Sequence, residues 1–264
     1  MSAAGAIRVG IGGWTFEPWR GVFYPDKWPQ KRELEYASRH LTAIEVNGTY
    51  YSGFKPATFA EWGKVAPHDF VFALKASRFC TNRRVLAEAG ESVARFTGQG
   101  ITELGDKLGP ILWQFMATKK FDHDDFAAFL KLLPAKQDGI ALRHAVQVRH
   151  ASFAVPEFVA LCRDAGVAIV YAQSDEHPAI ADITGDFVYA RLETAVEAEP
   201  AGYSPAQLDH WADVAKTWAA GGQPDGLPYL GDPPKKTPRD TFVFMISGAK
   251  VRNPAAAQAL IERL

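Results

Sequence analysis

Apolar positions along the chain fall into short, nearly unbroken runs, separated by stretches whose apolar residues recur at helical spacing. The runs at 7–11, 42–47, 70–75, 109–115, 144–149, 167–172, 187–192 and 241–246 read as strands. Several, such as Phe70-Val71-Phe72-Ala73-Leu74, are apolar without alternation, as parallel strands buried on both faces are. Helical spacing marks 31–40, 58–65, 88–104, 126–133, 156–165, 205–220 and 254–264. In the first of these, Leu34 and Ala37 share a face with Leu41. Gly98 and Gly100 weaken the third. Asp122, Asp124 and Asp125 stand at the start of the fourth, where the helix dipole favours them. Gly166 is placed to cap the fifth. Ser204 followed by Pro205 is a strong start signal for the sixth.

Eight strands, nearly all followed by a helix, predict an α/β fold: a single (β/α)8 TIM-like barrel spanning residues 1–264 as one domain. The connection after strand six is short and carries Pro178, so its helix is reduced or missing. After strand one comes an aromatic loop with Trp14, Phe16, Trp19, Phe23, Tyr24 and Trp28, read as a lid on the barrel rim and as an apolar pocket wall. The stretch 221–240 is rich in proline and glycine and long for a connection at the bottom of a barrel. A doubly wound open sheet is the competing fold. It calls for a glycine fingerprint running from the first strand into a helix, which Gly10-Ile11-Gly12-Gly13 does not match.

Composition narrows the function classes. Hydrophobic residues make up 47% of the chain, enough for a large core, and the formal net charge is -1, which argues against a general nucleic-acid coat. Cys80 and Cys162 stand far apart in no metal-ligand spacing and read as free thiols of a reducing compartment. The start, Met1 to Ala6, lacks the pattern of a signal peptide, and no apolar run is long enough to cross a bilayer. A cytoplasmic protein is expected.

The chemistry lies at the strand ends. Alternation places Ala43, Glu45 and Asn47 on one face of strand two, with Ile44 and Val46 on the other. A carboxylate and an amide there are costly as pure structure but fit the mouth of a barrel. The mouth set is Glu45, Asn47, Lys75, Gln114, Arg149, Arg191 and Glu193. Glu45 is the first candidate for general acid or base, on the expectation that an apolar rim raises its pKa toward neutrality. Lys75 reads first as a partner for that carboxylate or as an anion binder, and less readily as a Schiff-base nucleophile. Glu193 completes the catalytic candidates. Trp14, Asn47, Tyr51, Gln114, Arg149 and Arg191 are the substrate-binding candidates, the two arginines suited to a carboxylate or phosphate.

The same segments carry a resemblance. Ile11-Gly12-Gly13-Trp14, Trp19-Arg20-Gly21-Val22-Phe23-Tyr24-Pro25, Glu45-Val46-Asn47-Gly48-Thr49-Tyr50-Tyr51, Phe72-Ala73-Leu74-Lys75-Ala76, Leu104 to Pro110, Trp113-Gln114-Phe115, Val148-Arg149-His150 and Asp186 to Leu192 resemble the domain-of-unknown-function 72 family, also called YecE-like. The resemblance spans nearly the whole chain. It implies a TIM-like barrel and no established reaction. The chain departs from the family pattern at Gln147, where a Glu is usual. It departs again at Met116-Ala117, at Glu193-Thr194 and at Met245-Ile246-Ser247-Gly248, where Phe-x-Asn-Asn is usual.

Three functions follow as expectations. The first is an enzyme, a hydrolase, lyase or isomerase, acting on a small anionic or sugar-like compound, with no cofactor and with Glu45 as acid or base. The second is a metal-assisted phosphodiester or nucleic-acid enzyme. It draws on the basic residues Arg78, Arg83, Arg84, Lys119 and Lys120, and on His150, Glu45, Asp175 and Glu193 as weak divalent-metal ligands without motif spacing. The third is a non-catalytic ligand-binding scaffold, in which the charged set is an ion-pair network closing the barrel top.

Overall fold

Eight parallel strands close on one another in a computed structural model that describes residues 4–264; the first three residues of the N-terminal reading lie outside the described residues. They are β1 (Ile7–Gly12), β2 (Ala43–Val46), β3 (Val71–Lys75), β4 (Leu108–Gln114), β5 (His144–Gln147), β6 (Ala168–Gln173), β7 (Phe187–Leu192) and β8 (Asp240–Met245). β1 pairs with β2 on one side and with β8 on the other, which seals the barrel. The main helices are α1 (Glu33–His40), α2 (Pro56–Val65), α3 (Gly90–Thr97), α4 (His123–Lys131), α5 (Pro156–Asp164), α6 (Pro205–Ala219) and α7 (Asn253–Ile261). The α/β barrel read from the sequence is the fold observed.

The terminal signals act as their chemistry requires. Asp122 accepts a hydrogen bond from the Asp125 amide at the start of α4. Ser204 and Gln207 form a reciprocal capping box on α6. Gly166 adopts φ +64° at the end of α5.

Three boundaries differ from the sequence reading. The helix expected over 88–104 is broken into a 3-10 turn at Leu86–Ala89, α3, and a second 3-10 segment at Ile101–Lys107. Gly98 ends α3, and Gly100 at φ +99° turns the chain, a conformation open mainly to glycine. β2 stops at Val46, so Asn47 is not a strand residue but opens the short helix Gly48–Tyr51. β5 stops at Gln147, so Arg149 extends from the loop beyond it. A small hairpin, Lys136–Gln137 with Ile140–Ala141, was not foreseen, although Asp138-Gly139 between them is a strong turn pair.

The barrel interior is built from complementary sizes. Small residues point inward from several strands: Gly10, Ala43, Ala73, Ala145 and Ala168. The rings of Phe187, Tyr189, Phe242 and Phe244, from β7 and β8, fill the space they leave. Each such buried ring contributes about 1.5–3 kcal/mol. Ile44 and Val46 face the other way, into the layer between strands and helices.

The aromatic loop frames the mouth, and a long connection closes one flank of the barrel. The aromatic loop is mostly a packed lid: Trp19, Phe23 and Tyr24 are buried, and Tyr36 of α1 packs edge-on against the last two. Trp19 Nε1 donates to the Lys250 carbonyl at 2.9 Å, tying the loop to the chain after β8. Between β6 and β7 there is no helix, as the sequence suggests. The long 221–240 connection covers that flank instead, with buried Asp182 accepting from the amides of Leu230 and Gly231 at 2.8 Å each. No described helix is long and apolar enough to cross a membrane, and both cysteines are buried and unpaired.

Candidate functional site

Above the apolar interior, the C-terminal ends of the strands form a polar layer. Arg191, on the inward face of β7 two residues after Tyr189, is its centre. Its Nε lies 3.1 Å from Glu45 Oε2 and its Nη2 3.2 Å from Oε1, a two-pronged contact. Nη1 donates to Gln147 Oε1 and to Glu193 Oε1, both at 2.7 Å. Tyr189 donates its phenol proton to Glu45 Oε2 at 2.7 Å. Gln147 Oε1 also accepts from Gln114 at 2.7 Å, and Gln147 Nε2 donates to Glu193 at 3.3 Å.

This layer reverses one expectation. Glu45 is fully buried, yet its pKa is lowered, not raised. Burial opposes ionisation and is the largest single influence. The positive charges of Arg191 and Lys75, with the hydrogen bonds from Tyr189 and Arg191, together outweigh it. Glu45 is a fixed anion that holds Arg191.

Over the layer lies an open cavity of about 350 Å³, lined by Lys75, Gln114 and Arg191 from the strand ends, by Arg149 from the loop after β5, and by Asn47 and Tyr51 from the turn after β2. Six of the expected residues therefore meet at one place. Glu45 and Glu193 are in contact with Arg191 but do not line the cavity. Trp14 lines an adjoining chamber of about 460 Å³, together with Phe54 and Trp62. The two chambers share Gly12, Asn47, Tyr51 and Lys250.

The charges in the cavity are unbalanced. Four cations line it, Lys75, Arg149, Arg191 and Lys250, and no carboxylate does, among the described residues. Arg191 is matched by Glu45 and Glu193. No carboxylate oxygen among the described residues comes within 4.0 Å of the charged nitrogens of Lys75, Arg149 or Lys250. Arg149 Nε is buried without a hydrogen-bond partner. Burial, with Arg191 nearby, makes the Arg149 charge less favourable than usual. Lys75 Nζ sits 4.3 Å from the centre of the Tyr50 ring. Burial pushes its pKa down to about 8, Glu45 and Glu193 opposing that shift while Arg191 and Arg149 add to it. The expected close ion pair between Lys75 and Glu45 is not formed; Arg191 occupies that role.

Sequence reasoning missed Lys250, Ser247, Asn253 and Tyr50 as cavity residues. Three follow β8 and one lies in a four-residue helix, where neither periodicity nor a strand end marks them. Tyr189 was legible, since alternation puts it on the same face as Arg191. Lys250 Nζ lies 4.3 Å from the Phe16 ring, so the aromatic loop also supports the cavity rim. Ser247 adopts φ +61°, a left-handed conformation uncommon for a residue other than Gly, Asn or Asp.

A family model described as "Protein of unknown function DUF72" matches residues 8–264. The chain belongs to this family. Among solved structures, a DUF72 family protein from Thermotoga maritima is similar at 22% identity and a TM-score of 0.71, with 97% of each chain covered. A DUF72 family protein from Enterococcus faecalis is similar at 15% identity and a TM-score of 0.70, with 97% of this chain and 94% of that one covered. SacUVDE shares 8% identity at a TM-score of 0.54 over 97% of this chain and 98% of its own. These likenesses concern the barrel. No curated protein matches the chain. For this DUF72 member, the site therefore rests on its own geometry.

Proposed function

We propose that the mouth of the barrel binds a small dianionic compound, such as a phosphate monoester or a dicarboxylate, and that the protein is an enzyme of the lyase or isomerase type. The observation that carries this is the cavity lining: three cations without a carboxylate partner and a fourth already neutralised. Lys75 is buried, Arg149 half-buried and Lys250 exposed; gathering these like charges is costly, and a bound anion removes that cost. Arg149, with an unpartnered buried Nε, is the main anion clamp.

Lys75 takes the reactive role first assigned to Glu45. Glu45 has both oxygens engaged and no path to the cavity, and Glu193 is tied to Arg191 and Gln147. With a pKa of about 8, about a tenth of Lys75 is neutral at pH 7, against far less for an ordinary lysine.

The nucleic-acid reading has weaker support. Arg83, Arg84, Lys119 and Lys120 line a separate cleft of about 450 Å³. Lys119 there is paired with Asp125 at 2.7 Å, and the Arg83 guanidinium is spent on Phe79, Glu88 and Ser92. No group of three or more His, Cys, Asp or Glu suited to a metal occurs among the described residues.

Thermal unfolding with inorganic phosphate, malonate, nucleotides and short oligonucleotides tests the proposal. A ligand at a hundred times its Kd adds about 2.7 kcal/mol of stability. Phosphate or malonate should raise Tm of the wild type, and Arg149→Gln should lose most of that shift. Stabilisation by oligonucleotide alone, with steep salt dependence, would turn the assignment to the second function.

A further inference from the structure

The cavity has an anion clamp and a reactive amine but lacks the usual proton-handling pair. Among the described residues its lining holds no carboxylate and no histidine; the phenols of Tyr50 and Tyr51 are its only other ionisable groups. Proton abstraction by one residue with return by another has few candidates here. Covalent chemistry needs fewer, because an amine that adds to a carbonyl carbon activates the substrate itself.

Lys75 is placed for that. It ends β3 on the inward face, its residue is 8% exposed, and its Nζ opens onto the cavity with no carboxylate in salt-bridge range. The charged groups that influence it are Glu45 and Glu193 on one side and Arg191 and Arg149 on the other, with the Tyr50 ring against it and Lys250 on the same cavity wall. The two acids and two guanidinium groups largely offset one another, so desolvation is what sets the state of the amine. The adjoining chamber, walled by Trp14, Phe54 and Trp62, gives a flat organic group somewhere to lie while its anionic end remains among the cations.

From this arrangement we infer that Lys75 forms an imine with an anionic aldehyde or ketone held between the two chambers. The Nζ lone pair adds to the carbonyl carbon. A proton passes from nitrogen to the former carbonyl oxygen, giving a carbinolamine. A second proton, from solvent at the open mouth, lets that hydroxyl leave as water, and the carbon–nitrogen double bond forms. The anionic group stays on Arg149 and Lys250. The inference rests on the anion-binding proposal and adds the carbonyl to its substrate class.

Reductive trapping tests it on the full chain. The protein is incubated with equimolar pyridoxal 5′-phosphate, an aromatic aldehyde with a phosphate, then reduced with borohydride and mapped by peptide mass. The adduct should sit on the Lys75 peptide in preference to surface lysines, and labelling should rise with pH through about 8. Pyridoxal without its phosphate should label Lys75 about tenfold less, and Arg149→Gln should narrow that difference. Inorganic phosphate should compete. Lys75→Arg should lose the adduct, with a circular dichroism spectrum like that of the wild type showing that it folds. A phosphate-induced rise in the wild type without any adduct at Lys75 overturns the imine and leaves the anion site standing. Labelling spread over surface lysines, with no stabilisation by phosphate, overturns both.

Discussion

Arg191 grips Glu45 through both prongs of its guanidinium, at 3.1 and 3.2 Å, and neither residue is more than 3% exposed. Losing one partner of a fully isolated buried pair costs about 3–5 kcal/mol; without Glu45, Arg191 keeps Glu193 at 2.7 Å, so the loss here falls toward the lower end. Glu45→Gln should therefore lower the urea midpoint strongly. It should not weaken phosphate binding, because it removes a negative charge from beneath a cationic cavity. If it instead abolished ligand binding or turnover with stability intact, Glu45 would be acting on the substrate after all.

Lys75 predicts the opposite sign. Its folded-state pKa, about 8, lies below the ordinary value of 10.5, so its charge works against folding. That penalty is fully present below pH 8, shrinks as pH rises from 8, and is gone above 10.5, where the amine is neutral in both states. Lys75→Met should be more stable than wild type at pH 7, by about 1–3 kcal/mol. The gap should narrow between pH 8 and 10.5, and added phosphate should narrow it too. Paired urea titrations across that range would measure it. A gap constant with pH would mean that packing, and not charge, sets the difference.

Gln147 and Glu193 are linked by contact. The Gln147 amide donates to Glu193 at 3.3 Å while its oxygen accepts from Arg191 and Gln114. A glutamate at 147 has no such donor and sets a second carboxylate against Glu193. Gln147→Glu should cost about 1–3 kcal/mol, and adding Glu193→Gln should recover most of it. A double-mutant cycle by thermal or urea unfolding reads the coupling directly; simple additivity would show that the two positions do not communicate.

Two glycines of β1 should respond differently to one added methyl. A Cβ on Gly10 would stand 2.0 Å from the Ala43 carbonyl oxygen, against backbone that cannot give way. Gly10→Ala should fail to yield a stable barrel. A Cβ on Gly12 would meet only the side-chain tips of Ile246 and Asn47, at 2.8 and 2.9 Å. Gly12→Ala should fold, with a loss of about 1–3 kcal/mol for overpacking, and should weaken ligands that extend between the chambers. Circular dichroism and binding of pyridoxal 5′-phosphate against inorganic phosphate separate the two effects.

Most of the barrel could be read from the chain because its strands are buried on both faces and so stand out as apolar runs. The breaks around Gly98 and Gly100 and the hairpin at Asp138-Gly139 were written in the residues, but local turn chemistry was outweighed by the longer helical pattern. At the mouth, Lys75, Gln114 and Arg191 were legible because strand ends converge in a barrel. The ionisation of Glu45 was not, because it depends on Arg191, which is 146 residues away in the chain and whose guanidinium could have paired elsewhere. Lys250 escaped for a related reason: its place depends on how Phe16 and Trp19 of the aromatic loop pack beneath it.

The proline-rich connection between α6 and β8 enters the barrel from the end opposite the cavity, and residues 235–238 on it are exposed. That separation makes it a natural handle. A biotin acceptor peptide or fluorescent reporter grafted at this turn would tether the protein to a surface with its mouth facing solution, so compound libraries could be screened against the open end without the graft touching a residue that lines it.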